Sequence, residues 1–416
     1  MCGIIGIIGM EDTVDSLVHG LRRLEYRGYD SAGIAVLRNG AIESCKAVGT
    51  IAALERKLAE DGFGTNGTQV GIAHTRWATH GGVTENNAHP HFDGEKRIAI
   101  VHNGIIENAR AIKTRLEREG AVFTSETDSE VIAHLVRRFL NHHDLPHAVL
   151  FACRELKGTF GVCVIDRDVP NQMIAARRGS PLVIGVGDGF RMVCSDTNAI
   201  IPYTNQILYL EDHEVATVTR DSVTIEDLEE HEIARESIEL DTELEAIELG
   251  DFPHYMLKEI FEQPSALRNV LAGRFDAQAG ECHLGGITLT PKELSRIERV
   301  IIVGCGTSWH AGLLGEYYIE SLAKVNCEVE YASELRYRNP ILNPDTDMAI
   351  VISQSGETAD TLAALREIKR KGVFCFGICN VVGSTIAREV DGGIYTHAGP
   401  EIGVASTKAF TTQTAA

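Results

Sequence analysis

The hydrophobic pattern of this chain changes character once, at an acidic stretch, and that change limits the fold more than any single motif. Before residue 225 the apolar runs are short strands that follow one another with few helical crossovers, which fits antiparallel pairing in an α+β layer arrangement. After residue 250 strand alternates with helix, which fits a doubly wound α/β fold with a parallel sheet covered on both faces. Between them, over 226–251, twelve Asp or Glu stand against one arginine, Arg235, a composition that suits a solvated helix or linker. At 416 residues the chain is too long for one typical core. The expected organisation is therefore a first domain over 1–225, an acidic linker over 226–250 and a second domain over 251–416.

Charge and cysteine usage narrow the partners. A formal net charge of −20 argues against a nucleic-acid or anionic membrane surface, though it leaves room for a local phosphate pocket. Ten cysteines are scattered without a CxxC pair or zinc-type spacing, which reads as reduced thiols and no structural metal. The apolar start meets Glu11 and Asp12 too early for a membrane span or a signal peptide, so a cytoplasmic protein is expected.

In the first domain, strands are expected over 33–37, 41–47, 69–74, 98–102, 158–165, 172–176, 181–186, 191–195 and 214–219. Helices are expected near 14–24, 51–59, 109–119, 129–140 and 145–155. The chain opens Met-Cys-Gly-Ile-Ile-Gly-Ile-Ile-Gly, and its apolar run reads as a buried strand. If Met1 is removed, Cys2 carries a thiol and a free α-amine, which titrate near ~8.5 and ~8, so the amine can take the thiol proton. If Met1 stays, Cys2 is an ordinary strand cysteine.

Two loops concentrate polar groups. His74-Thr75-Arg76-Trp77-Ala78-Thr79-His80-Gly81 follows a strand. Arg76 there can fork onto a substrate carboxylate with Trp77 closing over it, or the pair can form a surface stack. His102-Asn103-Gly104 follows another strand. It offers a side-chain amide beside an unobstructed backbone N–H, a donor pair for an oxyanion, or else an Asn-Gly turn.

The segments MCGIIGIIG, RGYDSAG (27–33), RWATHG (76–81), HNGIIEN (102–108) and ETDSEVIAHL (126–135) together resemble the glutaminase domain of N-terminal-nucleophile amidotransferases, in its sugar-phosphate branch. The resemblance implies that Cys2 attacks the γ-amide of glutamine and that Asn103 and Gly104 form the oxyanion hole. It also implies that Arg76 binds the α-carboxylate, that Asp128 binds the α-amine, and that Trp77, Thr79 and His80 line the pocket.

The segment 250–264, with Pro253 near its start and Met256, Leu257, Ile260 and Phe261 on one face, reads as an amphipathic helix that docks one domain on the other. Beyond it, strands are expected over 299–303, 327–331, 348–352 and 373–378, and helices over 308–324 and 358–371. The loops Gly304-Cys305-Gly306-Thr307-Ser308 and Ser353-Gln354-Ser355-Gly356-Glu357-Thr358 feed helix N-termini, as a phosphate monoester requires. Gly304-x-Gly306 also opens like a dinucleotide fingerprint, but Trp309 stands where the third glycine belongs.

CGTS (305–308), SQSGET (353–358) and GVASTK (403–408) resemble the sugar isomerase (SIS) domain. By that resemblance Thr307, Ser308, Ser353, Gln354, Ser355 and Thr358 hold a sugar phosphate, and Val404 and Ser406 border the sugar. The two resemblances in this order imply an amidotransferase that uses glutamine and fructose 6-phosphate in amino-sugar biosynthesis, with no cofactor, no metal and a homodimer at full length. They also imply a second sugar isomerase subdomain after residue 416, carrying the imine-forming lysine, a role Lys408 does not match. A glutaminase serving another phosphorylated acceptor and a sugar-phosphate sensor are the other readings.

Overall fold

The computed structural model describes residues 2–64, 67–240, 249–276, 278 and 280–416. The expected loss of Met1, and the end of the acidic linker over 241–248, fall outside them. The chain divides into two compact units, 1–244 and 245–416.

The first unit stacks two antiparallel sheets between helices. One sheet runs Ile238–Glu239, Gln206–Tyr209, Val183–Gly187, Phe190–Cys194, Gly3–Ile8, Val70–Arg76, Ser31–Arg38, Ala41–Val48. The other runs Val223–Asp227, Glu214–Val218, Met173–Arg178, Gly158–Asp166, Ile98–Ile106, His91–Phe92. Alternation decides the layers, because successive side chains of a strand leave opposite faces. Ile4 and Ile8 of the first sheet meet Ala99, Val101, Cys163 and Ile165 of the second in the core between the sheets. Ile5 and Ile7 point the other way, onto helices Thr13–Leu24 and Ile51–Glu60 through Leu17, Leu21 and Leu54. Ile98 and Ile100 likewise pack on Glu130–Phe139 and Leu145–Glu155.

The acidic stretch behaves differently from a linker over its first half. Val223–Asp227 pairs with Glu214–Val218, and Ile238–Glu239 pairs with Gln206–Tyr209. The reason is its single cation: Arg235 reaches the buried Glu214 at 2.6 Å and pins the segment to the sheet. The chain stays on the first unit as far as Leu240, whose N–H meets the Asn205 carbonyl at 2.8 Å.

The second unit holds a five-stranded parallel sheet in the order Asn326–Tyr331, Arg299–Gly304, Asp347–Ser353, Phe374–Cys379, Gly392–Tyr395. Both faces are covered, one around Ile301, Val303, Leu362 and Leu365, the other around Val300, Ile302 and Ile378. By chain position the order is second, first, third, fourth, fifth, so the winding reverses between Arg299–Gly304 and Asp347–Ser353. Helix Tyr255–Leu271, expected as an interdomain dock, belongs to this unit and packs on Lys408–Ala415, with Lys408 Nζ 2.6 Å from Glu262. The helix expected over 308–324 runs Thr307–Tyr318 and widens into a looser turn over Ile319–Ala323.

Candidate active site

Strand alternation also places the polar groups. Val70 and Ile72 face the layer between the sheets, so His74 and Arg76, two and four residues on from Ile72, do too. Ala99 and Val101 face it from the other sheet, and Asn103 continues their series. Cys2 continues the series of Ile4 and Ile8. A thiol, an imidazole, a guanidinium and a carboxamide therefore converge at one end of the sandwich.

The contacts follow. Cys2 Sγ accepts the Trp77 N–H at 3.2 Å and lies 3.5 Å from the Trp77 carbonyl. The Cys2 carbonyl accepts Asn103 Nδ2 at 3.0 Å and Arg27 Nε at 3.0 Å. Arg27 in turn pairs with Asp196 at 3.0 Å. Burial pushes the Cys2 thiol up, while the Trp77 N–H and the charges of Arg27 and Arg76 pull it down without cancelling the rise. Gly104 has φ +133°, and a Cβ there would stand 2.1 Å from the Thr159 carbonyl oxygen, so only glycine fits beside Asn103.

Arg76 and Trp77 part company. Arg76 is 4% exposed and donates to the carbonyls of His80 and Gly82, whereas Trp77 is 43% exposed and meets the Tyr29 ring edge-on at 5.3 Å. A surface stack of the two is thereby excluded. Among the described residues Arg76 touches no carboxylate, and a buried guanidinium satisfied only by carbonyls suits an anionic ligand. Asp128 Oδ2 accepts the Ile106 N–H at 2.7 Å. Its turn is built by Glu130, which accepts the N–H groups of Thr124 at 2.8 Å and Ser125 at 2.6 Å. Cys2, Arg76, Trp77, Thr79, His80, Gly104 and Asp128 line one pocket, joined by His89, His102, Thr127 and Ser129.

Sequence reasoning gave Arg76 a role but gave none to Arg27, Asp30 and His74, which lie in the segments it quoted, and did not name His89 and His91. Asp30 Oδ2 accepts the Ala78 N–H at 2.8 Å and fixes the loop that carries Thr79 and His80. The signal was present in RGYDSAG, where charged residues interrupt a strand approach. The roles depended on Cys2 and Ala78, which lie far away in the chain.

In the second unit the two hydroxyl-rich loops lie at the C-terminal ends of Arg299–Gly304 and Asp347–Ser353, where the winding reverses and such sheets open a crevice. Thr361 Oγ1, on the helix after one loop, is 3.6 Å from Cys305 Sγ in the other. Ser353 Oγ lies 3.2 Å from Thr358 Oγ1 and accepts the Gly356 N–H at 3.0 Å; Ser355 Oγ accepts the Glu357 N–H at 3.2 Å. Thr307 and Ser308 open helix Thr307–Tyr318, and Thr358 precedes Ala359–Arg370, so both loops present helix N–H groups. Gln354 sits between Ser353 and Ser355, half-buried. Val404 and Ser406 lie on the loop before Lys408–Ala415, with Ser406 Oγ bound to Glu401 at 3.0 Å and Val404 exposed. A larger cavity of about 410 Å³ opens near Arg299, Glu328 and Arg338, but Arg299 is held by Asp347 and Arg338 by Glu330, so neither cation is offered to an anion.

Comparisons with known proteins agree with this division. A glutamine amidotransferase domain family matches residues 74–202, and the SIS domain family matches residues 293–416. The chain is 55% identical to the glutamine–fructose-6-phosphate aminotransferase (isomerizing) of Chlorobaculum tepidum, over 99% of this chain and 67% of that protein. It is 48% identical to a protein of the same name from Thermus thermophilus, over 100% of this chain and 67% of the relative. Among solved structures, the allosteric regulatory enzyme of purine biosynthesis aligns over 93% of this chain and 77% of its own at TM-score 0.50 and 20% identity, a likeness of fold alone. At these identities and coverages, the chain belongs to the glutamine–fructose-6-phosphate aminotransferase (isomerizing) family.

Proposed function

We propose that the first unit hydrolyses glutamine at Cys2 and that the ammonia released serves the amination of fructose 6-phosphate to glucosamine 6-phosphate. The observation that carries the reading is the meeting of Cys2 with Asn103 and Gly104 from the facing sheet, beside a buried Arg76 that touches no carboxylate among the described residues. Among those residues Sγ has hydrogen-bond partners only in the Trp77 backbone, and burial raises the thiol, so a base must act at the moment of attack. The α-amine of Cys2, freed by removal of Met1, is that base.

In this reading the glutamine α-carboxylate forks onto Arg76 and its ammonium meets Asp128, while Trp77, Thr79 and His80 border the side chain. Sγ attacks the γ-carbonyl carbon, the α-amine takes the thiol proton, and the carbonyl oxygen gathers negative charge against Asn103 Nδ2 and the Gly104 N–H. Collapse with proton return to the leaving nitrogen releases ammonia and leaves a γ-glutamyl thioester, which water hydrolyses to glutamate. In the second unit, Thr307, Ser308, Ser353, Gln354, Ser355 and Thr358 hold the phosphate, and Val404 and Ser406 border the sugar.

Two finer readings rest on the family alone or nearly so: a homodimer at full length, which light scattering tests, and a cytoplasmic location, which suits ten free thiols. The experiment on the chemistry compares the mature chain with Cys2→Ala and with a form that retains Met1. Both variants should fold and lose glutamate production from glutamine. Full-rate hydrolysis by the Met1-retaining form would remove the α-amine from the mechanism.

A further inference from the structure

We propose that His74 is a positioning residue for glutamine hydrolysis, fixing which way the Asn103 amide faces and tying the strand that carries Asn103 to the strand beside Cys2. The proposal rests on the reading of Asn103 as an oxyanion donor. His74 is 1% exposed, on a strand that pairs directly with Gly3–Ile8, where it stands opposite Ile4. Its side chain crosses the layer between the sheets, and Nε2 lies 3.0 Å from Asn103 Oδ1 and 3.1 Å from the His102 carbonyl oxygen.

Both neighbours of Nε2 are acceptors, so Nε2 carries the proton and shares it between them. That fixes the carboxamide. With Oδ1 on His74, Nδ2 donates one hydrogen to the Cys2 carbonyl at 3.0 Å and has the other left for a developing oxyanion beside Cys2. Turned by half a rotation, the amide would set N–H against N–H at His74 and oxygen against oxygen at Cys2. It would also present an acceptor where the reaction develops negative charge. The orientation that supports the chemistry is thus the one that His74 dictates.

The burial of this ring has no simpler explanation. Among the described residues its Nδ1 is buried without a hydrogen-bond partner, beside the His89 ring stacked at 4.1 Å, and the hydrogen bonds the ring makes with them are at Nε2. Its strand neighbours Val70 and Ile72 are apolar, and an apolar ring would fill the space without an unsatisfied nitrogen. Burial also keeps the imidazole neutral, pushed down to about 3, so the tautomer required at Nε2 persists across working pH.

The test is a mutant cycle on the mature chain, reading kcat and KM for glutamine hydrolysis with thermal melting as the folding control. His74→Phe should lower kcat by about 10-fold or more, up to the ~10²–10³-fold that loss of one oxyanion donor costs. KM should stay within about threefold, the pattern of a contact made in the transition state alone. His74→Gln, whose amide nitrogen reaches the place of Nε2, should recover most of the loss. His74→Asn, too short to reach Asn103, should not, and it replaces the Phe variant if that one overpacks. In an Asn103→Ala background His74→Phe should change kcat by less than about twofold, because a residue that acts through Asn103 has nothing left to position. Wild-type kcat in His74→Phe, a full additional loss in the Asn103→Ala background, or Gln performing no better than Asn each overturns the proposal. Wild-type kcat in Asn103→Ala alone instead removes the oxyanion assignment beneath it.

Discussion

Mild acid should destabilise the first unit, and the direction of the effect follows from its buried histidines. His74, His89 and His91 are 1%, 4% and 2% exposed. Burial drives each ring below the ordinary imidazole range, His74 to about 3 and the other two well below 6.5. After burial, His102 and Arg76 lower His74 while the Asn103 contact opposes the fall; His74, His91, His102 and Arg76 lower His89; and for His91, Lys46, His74 and Arg76 add to the fall and Glu130 opposes it. In the unfolded chain the same rings take up protons below ~6.5. The unfolded state therefore binds more protons than the folded one, and stability is full above neutrality and falls as pH drops through 6.5. Each proton of difference is worth about 1.4 kcal/mol per pH unit, so His74 alone removes about 1 kcal/mol between pH 6 and 5, and His89, His91 and the likewise buried and lowered His102 act in the same direction. Against a total of roughly 5–15 kcal/mol for a domain, their sum is readily measured. Glu130 extends it further down: burial alone would raise its carboxyl, but the His134 ring 3.8 Å away and hydrogen bonds from Ser125 and Thr124 hold it at about 2, so its contribution fades as pH falls below the ordinary 4.5. The assay is urea unfolding at pH 7, 6 and 5 in a Trp309→Phe variant, where Trp77 is the one tryptophan left to report. His89→Phe keeps the stack and should flatten the pH slope by about one proton. An unfolding free energy that stays level between pH 7 and 5 refutes the reasoning.

The remaining predictions concern the ligands. Arg76→Lys keeps the charge and loses the bidentate fork, so KM for glutamine should rise; Arg76→Ala should cost about 2–5 kcal/mol in kcat/KM, and an unchanged kcat/KM removes the carboxylate assignment. Gly104→Ala places a Cβ 2.1 Å from the Thr159 carbonyl oxygen and must shift the strand that carries Asn103. Because a displacement of ~1 Å can cost ~10²-fold, kcat for glutamine hydrolysis should fall on that scale, with a smaller change in KM. Fructose 6-phosphate should raise the melting temperature of the second unit and fructose should not, since the loops around Ser355 and Thr358 offer helix N–H groups to a dianion; equal protection by both sugars counts against the site.

The parts of the fold that could be read in advance were those whose pattern carries its own explanation. Gly3–Ile8 and the first half of Ile98–Ile106, through Val101, are apolar on both faces because each lies between a facing sheet and a helix layer, and their runs announce it; the continuation through His102 and Asn103, expected as a loop, is strand as well. Gln206–Tyr209, Val223–Asp227 and Ile238–Glu239 did not announce themselves, since each is a short strand at or beside a sheet edge, held by a neighbour distant in sequence. The acidic stretch misled for the same reason: a count of charges cannot tell that Arg235 finds the buried Glu214. At the site, Cys2, Arg76 and Asn103 stood out as reactive groups at strand ends. His74 and Glu130 did not, because a histidine within a strand and a glutamate at a helix start are common, and their partners come from other elements.

Alternation nevertheless contained more than was taken from it. In a strand with one face toward a second sheet, a polar residue that continues an apolar series on that face will be buried, and a buried polar group needs a partner across the layer. Val70, Ile72, His74, Arg76 is such a series, and so is Ala99, Val101, Asn103. Reading the two together predicts polar contacts between the sheets at one end of the sandwich, and that is where His74 meets Asn103. The same step fails in the second unit for a physical reason. Its central strands are buried on both faces, so alternation carries no information there. The approach of Cys305, in the 304–308 loop, to Thr361 on the helix that follows 353–358 depends instead on the strand order, which is settled by how the crossovers pack.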